Sequence, residues 1–174
     1  MIIIPTCGKA RHGKDTAGEM LAEELKAQGN SVLVTHYADL LKYICKNFLD
    51  WNGKKDERGR TLLQTVGTEV VRSKDPDYWV KFVVQIMKFF PDLWDYVIIP
   101  DSRFPNEIAF WKAEGYKVKS ITVERPDFDN GLTEEQMHHA SESQTLETDY
   151  KIINGGSRAD LKETVAKFVK EDLT

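Results

Sequence analysis

The stretch Gly8-Lys9-Ala10-Arg11-His12-Gly13-Lys14-Asp15-Thr16 carries the densest chemistry in the chain. Two glycines bracket four residues and a lysine follows, the spacing of a phosphate-binding loop. Glycine lets the backbone turn tightly with successive N–H groups pointing inward. A helix N-terminus behind the loop favours anions, and the lysine reaches the β- and γ-phosphates. Such a loop works only between a strand and a helix. Met1-Ile2-Ile3-Ile4 supplies a short apolar run before it, and Asp15 to Lys26 has helical composition, with Met20, Leu21 and Leu25 near one face. The pattern reads as a nucleotide site formed by Gly8, Lys9, Arg11, His12, Gly13, Lys14, Asp15 and Thr16. The hydroxyl stands one place later than in the simplest form of the motif, where it directly follows the lysine. Thr16 is therefore expected to meet a phosphate oxygen or a magnesium-bound water, and Asp15 gains from the field of the helix start.

Moving a phosphoryl group between two anions requires charge neutralisation more than a strong base. Lys14 supplies one cation, and Arg11, Arg72, Arg103 and Arg125 stand near expected ligand-side loops or helix ends. Arginine's planar fork suits phosphate oxygens. Asp101 follows the most apolar strand candidate and is placed to hold magnesium through water, or else to orient Arg103 or cap a helix.

The elements that must position these groups alternate between strand and helix. Ser31 to Tyr37 reads as a second strand, and Ala38-Asp39-Leu40-Leu41-Lys42 opens a helix that leaves Asp39 and Lys42 at the ligand edge of a parallel sheet. Asp50 to Gly59 is a polar connector. From Arg60 to Arg72, apolar positions 62, 63, 66 and 70 suit one helical face, and Gly67 permits close approach of another backbone. A further helix begins at Asp75-Pro76-Asp77, and Trp79, Phe82, Val83, Ile86 and Phe90 read as its core stripe. Two helices between the second and third strands suit a substrate-holding arm. Tyr96-Val97-Ile98-Ile99 is apolar throughout, as expected of a central parallel strand, and Asp101, Arg103 and Glu107 follow it. Lys117 to Glu124 is expected as the fourth strand. Arg125-Pro126 opens a polar excursion, with a capping-box pattern at Thr133 to Gln136, and His138-His139 has no ligand set around it that suggests zinc. Tyr150 to Ile153 is a short last strand and Ala159 to Leu173 a closing helix.

The 174 residues suit one domain, 1–174, with 41% hydrophobic and 30% charged residues. A net charge of -4 argues against nucleic acid as partner. Cys7 and Cys45 lack metal-ligand spacing and read as reduced thiols of a cytoplasmic protein. The opening apolar run is too short to cross a membrane.

The chain resembles the bacteriophage-type deoxynucleoside monophosphate kinase family. The likeness lies in Gly8 to Thr16, in Tyr37 to Lys42, in Arg60 through Arg72 with Trp79, and in Asp101-Ser102-Arg103-Phe104-Pro105-Asn106-Glu107. A weaker part is His139-Ala140-Ser141-Glu142-Ser143, followed by Asp149 and Ile153-Asn154. The resemblance implies a three-layer α/β P-loop kinase fold, with a five-stranded parallel sheet ordered 2-3-1-4-5. It also implies a helical acceptor-binding insertion over 38–92 and a short lid over 126–148. The implied reaction moves the ATP γ-phosphate to a deoxynucleoside monophosphate in the presence of Mg2+, in the cytoplasm (the host's, if the protein is viral). Lys14, Arg72, Arg103, Arg125 and Asp101 would then be catalytic, and Thr16 and Asp101 would face the metal. Asp39, Lys42, Gln64, Arg72, Trp79, Arg103 and Glu107 would hold the acceptor, and a homodimer is allowed. Leu40 and Ser102 stand where the family often has proline and valine. Two other readings are a P-loop kinase of another small phosphorylated substrate, as in phosphomevalonate kinase-like enzymes, and a P-loop NTPase accessory protein.

Overall fold

Side-chain alternation on two strands sets the layering. In β1 (Ile2–Cys7), Ile4 enters one core and Ile3 the other. In β3 (Tyr96–Ile99), Ile98 joins Ile4, while Val97 and Ile99 join Ile3. A strand apolar on both faces must be covered on both, which gives three layers. On one side α1 (Lys14–Ala27) contributes Ala17, Leu21 and Leu25, and α8 (Arg158–Phe168) contributes Leu161, Val165 and Phe168. On the other, α4 (Tyr78–Phe89) contributes Val80, Val83, Val84 and Met87, and α5 (Pro105–Ala113) contributes Trp111. The buried Trp111 indole N–H donates to the Tyr37 hydroxyl at 2.8 Å, tying α5 to the start of α2 (Ala38–Phe48).

The sheet is parallel throughout. β2 (Val32–Val34), β3, β1, β5 (Ile121–Glu124) and β6 (Tyr150–Ile153) lie side by side, and β4 (Lys117–Val118) also pairs with β1. The expected fourth strand is thus split into β4 and β5, and with the two counted as one the order is the expected 2-3-1-4-5. The interruption has a local cause. The Ser120 N–H and hydroxyl both turn to Asp149, at 2.8 and 2.7 Å, and the Lys119 N–H goes to the Ile3 carbonyl.

The computed structural model describes residues 1–144 and 146–173, without the side chains of Glu135, Gln136 and Ser141. The capping box expected at Thr133 to Gln136 therefore lies outside the described residues. The short helix α6 (Glu134–His138) begins within that stretch, and α7 (Ala140–Ser143) follows. Among the described residues no helix is long and apolar enough to cross a membrane.

Two helical faces differ from their sequence reading. After α3 (Glu57–Gln64), residues Thr65–Arg72 form a π-helical segment, whose wider turn breaks the spacing of four. Val66 is buried as expected, but Val70 is exposed. On α4 the inward face is Trp79, Val80, Val83, Val84 and Met87, whereas Phe82 and Phe90 of the expected stripe are exposed. The inward stripe is shifted because adjacent valines, 83 and 84, both reach the core.

Close packing at the strand ends fixes the phosphate loop. Gly8, at φ 138, lies so near β5 that a Cβ on it would sit 2.3 Å from the Val123 carbonyl oxygen. Backbone cannot yield as a flexible side chain does. Gly8→Ala should therefore destabilise the fold by about 3 kcal/mol, read as a lower urea midpoint at unchanged slope. A midpoint equal to the parent's would mean that β1 and β5 are less tightly held than this contact requires.

Candidate active site

The loop between β1 and α1 curls around an inward concavity. Arg11, at φ 62, and Gly13, at φ 92, are left-handed within it, the backbone handedness found in anion-binding loops, and the His12 N–H closes a turn onto the Lys9 carbonyl at 3.3 Å. Lys14 is buried, and its ammonium donates back to the Gly8 and Lys9 carbonyls at 2.7 and 2.9 Å. Burial, and then the charge of Arg103, push its pKa down to about 8. The His12 ring is buried beside the loop, and its Nδ1 accepts from the Arg125 N–H at 3.0 Å. The acceptor role makes this ring the Nε2–H tautomer, and its pKa is lowered by burial. Asn154, just past β6, donates to the His12 carbonyl at 3.0 Å and braces the loop from the far strand.

Beyond β3 the chain turns through Asp101 and Arg103 into α5. Asp101 accepts from the N–H groups of Tyr37 and Ala38 at 3.0 and 2.9 Å, which clamps the start of α2 against this turn. Burial pushes its carboxyl up, while those donors pull it back. Glu107 is almost fully enclosed and accepts from the Arg103 and Phe104 N–H groups at 2.7 and 3.1 Å. Its other oxygen pairs with the Arg72 guanidinium, which also donates to the Pro76 carbonyl at 3.0 Å and stacks 4.1 Å from the Phe104 ring centre. One carboxylate thus fixes the Arg103 turn and the Arg72 side chain together. Burial raises the Glu107 pKa, and Arg72 opposes the rise.

A cleft of about 400 Å³ runs between these two walls. Of the residues expected from the sequence, Arg11, Lys14, Asp15, Lys42, Gln64, Arg72, Trp79, Asp101, Arg103 and Glu107 line it. Gly8, Lys9, Gly13 and Thr16 belong to the loop and the first turn of α1 behind that lining. Asp39 is outside the lining and bonds Lys42, which belongs to it, at 2.9 Å. Arg125 is turned aside, with its guanidinium 4.1 Å from the Phe128 ring centre. Trp79, though largely buried, reaches the lining, and its indole N–H donates to the Gly67 carbonyl at 3.0 Å, which braces the π-helical segment.

Of the lining residues not singled out as site residues from the sequence, His36 and Glu142 bond directly to ones that were. His36, past β2, bonds Asp15 at 3.1 Å, which raises the imidazole pKa and holds the Asp15 carboxyl below its usual range. A lone histidine after a strand carries no spacing signal. Glu142, on α7, accepts from the Ala10 N–H at 3.0 Å and pairs with Arg103. Only the His139 to Ser143 stretch of the resemblance hinted at it, and that stretch names no partner.

The family model for deoxynucleotide monophosphate kinase matches residues 39–165. The deoxynucleotide monophosphate kinase of Enterobacteria phage T4 is 32% identical over 115 residues, 64% of this chain and 45% of that protein. The match thus spans about half the length of that relative. Among solved structures, APS kinase of Mycobacterium tuberculosis in complex with AMPPNP and APS superposes with a TM-score of 0.53 at 10% identity, over 97% of both chains. Shikimate kinase from Aquifex aeolicus gives 0.52 at 13% identity over 98% of both. These two likenesses show a common fold, the three-layer P-loop kinase architecture. The family match covers most of the chain, including both arginines and the turn after β3: this chain belongs to the deoxynucleotide monophosphate kinase family.

Proposed function

We propose that this protein transfers the γ-phosphoryl group of ATP to a deoxynucleoside 5′-monophosphate, giving ADP and the deoxynucleoside diphosphate. The observation that carries this reading is the placing of Lys14 on one wall of the cleft and Arg72 and Arg103 on the other. A phosphate-binding loop alone would serve any nucleotide hydrolase. A second pair of cations facing it suits a second anionic substrate, because both phosphates must be neutralised while one group passes between them.

In this reading the loop N–H groups and Lys14 hold the donor phosphates. Arg72, fixed by Glu107, offers its remaining donors to the acceptor monophosphate, and Arg103 stands between the two. Arginine has five N–H donors, so the bonds to Glu107 and Pro76 leave others for a ligand. Gln64 and Lys42 line the region open to the sugar and base. Residues 38–92 form the acceptor-holding arm and 126–148 the lid, with Arg125 able to rotate away from Phe128 toward the donor. Magnesium binds by one or two carboxylates plus substrate phosphates, so it needs no dense cluster of protein ligands. Asp101 faces the cleft with lone pairs beyond those used on Tyr37 and Ala38, and with Thr16 it would hold the ion through water. The ion would supply charge neutralisation between the phosphates.

A panel of nucleoside and deoxynucleoside monophosphates, incubated with ATP and Mg2+ and separated chromatographically, tests the reaction. A deoxynucleoside diphosphate should appear. Free phosphate without a phosphorylated acceptor would instead favour an accessory NTPase, and phosphorylation only of other small phosphorylated compounds would favour a different kinase.

Arg72→Ala should raise the acceptor KM by about tenfold or more with a smaller change in the ATP KM, since one guanidinium–phosphate contact is lost. Equal acceptor KM values in steady-state assays would remove Arg72 from the ground-state complex. Arg103→Lys keeps the charge but loses the fork, so kcat/KM for the acceptor should fall, and Arg103→Ala should lower it further, on the order of 10²-fold. Parental kinetics in both would place Arg103 outside the reaction.

Lys14 carries a paired stability prediction. Its folded-state pKa of about 8 lies below the ordinary 10.5, so the fold disfavours the ammonium. That cost is full below about pH 8 and fades as pH rises toward 10.5. Lys14→Met should abolish transfer yet raise Tm at pH 7 by about 2–4 °C, equivalent to about 1 kcal/mol at this length. The gain should shrink above pH 8 in thermal unfolding scans. A lower Tm at pH 7 would mean that the bonds to Gly8 and Lys9 outweigh the buried charge.

A further inference from the structure

We infer that the Glu142 carboxylate occupies the seat of the phosphoryl group that is transferred, as an internal stand-in that the donor nucleotide must displace. This rests on the phosphotransferase reading above and adds a subsite to it.

The seat is defined by its donors. Glu142 Oε2 accepts from the Ala10 N–H at 3.0 Å, and Oε1 pairs with the Arg103 guanidinium. The side chain is only 10% exposed. The Lys14 ammonium is near enough for its titration to feel the Glu142 charge. A backbone N–H of the phosphate loop and a guanidinium from the β3 edge donate to it, and the charge of the loop lysine lies nearby. That is the environment of an anion, supplied here by a residue 132 positions along the chain from Ala10.

Position within the loop assigns the phosphate. Ala10 precedes the turn through Arg11 and Gly13 that leads into α1, so its N–H comes before those of the helix start, and it shares the Glu142 carboxylate with Arg103 in the cleft lining. The inner phosphates of a nucleotide belong against the helix start. The terminal one belongs beside Ala10, where Arg103 can also reach it. A carboxylate and a phosphoryl oxygen cannot share one N–H and one guanidinium, because two anions at contact repel strongly in a partly enclosed site. One of them must leave. Glu142 sits on the short α7 within the segment read as the lid, so its departure couples filling of the subsite to movement of that segment.

The consequence is a selective penalty on ligands that carry the terminal phosphate. Glu142→Gln keeps the shape and can still accept from Ala10, but it no longer holds Arg103 with a charge. In calorimetric titrations, the non-hydrolysable β,γ-imido analogue of ATP should bind Glu142→Gln about tenfold more tightly than the parent, while ADP changes by less than about twofold. Glu142→Asp, which retains the charge but draws it back by one methylene, should fall between the two. Glu134→Gln, an exposed carboxylate of the same segment outside the cleft lining, should change neither ligand. Thermal unfolding of each variant shows whether it is folded, and Glu142→Asp alone suffices if Glu142→Gln is not. Equal tightening for ADP and the analogue would overturn the subsite assignment, as would the same selective gain in Glu134→Gln. Analogue binding that is unchanged or weaker would overturn the stand-in itself. A parent protein that binds neither nucleotide would overturn the donor-site reading beneath it, an outcome distinct from the others.

Discussion

Like charges crowded around one cleft are the constraint on which this structure depends. Lys14, Arg72 and Arg103 all face the same space, and the depressed Lys14 pKa registers both its burial and its repulsion by Arg103. Cations gathered to receive phosphates must be held in place when no phosphate is present. Two carboxylates do so in different ways. Glu107 is enclosed, is held by two backbone N–H groups and comes from the same turn as Arg103, so its grip on Arg72 is permanent. Glu142 comes from a distant segment of short helices and pairs with Arg103, the contact that a donor nucleotide displaces in the inference above. A fixed counter-charge and a removable one divide the work.

The apolar layers make this arrangement rigid where it must be. The turn carrying Asp101 and Arg103 follows the strand with Val97, Ile98 and Ile99 fully buried, and Trp111 ties α5 to Tyr37. Asp101 then clamps the backbone of Tyr37 and Ala38, so β3, α2 and α5 meet at one point. A guanidinium positioned to within a fraction of an ångström needs such backing, because misplacement costs rate steeply. The π-helical segment completes the same wall. Its wide turn brings Gly67 and Thr68 to the cleft lining and Arg72 to Glu107, and Gly67 packs so near Leu41 that a Cβ would lie 2.8 Å from it.

The parts legible in the sequence were those governed by local rules. Gly8 to Thr16 announced its loop because the glycines and the lysine act within a single turn. The Tyr96 to Ile99 strand was legible from unbroken apolarity, and the sheet order followed from the resemblance. Reading failed where a tertiary partner decides. The split between β4 and β5 depends on Ser120 meeting Asp149, and the exposure of Val70 on a π-turn that no period of 3.6 foretells. Arg103 and Glu107 stand four residues apart, the spacing of a pair on one helix face. Instead Glu107 takes the Arg103 backbone and the Arg72 side chain, and the Arg103 guanidinium reaches Glu142. Carboxylate partners of arginines are interchangeable by residue type, so spacing alone cannot choose among them.

The loop that begins at Gly8 is completed by Val123, Glu142 and Asn154, each more than a hundred residues further along. During synthesis its glycines and lysine therefore emerge long before anything can hold them in shape. At roughly 5–20 residues per second the interval is on the order of ten seconds. Through that time the first helix and strand are present as sequence, but the concavity they frame is not. The growing chain can assemble this loop in its folded shape only once the segment through β6 and Asn154 has emerged.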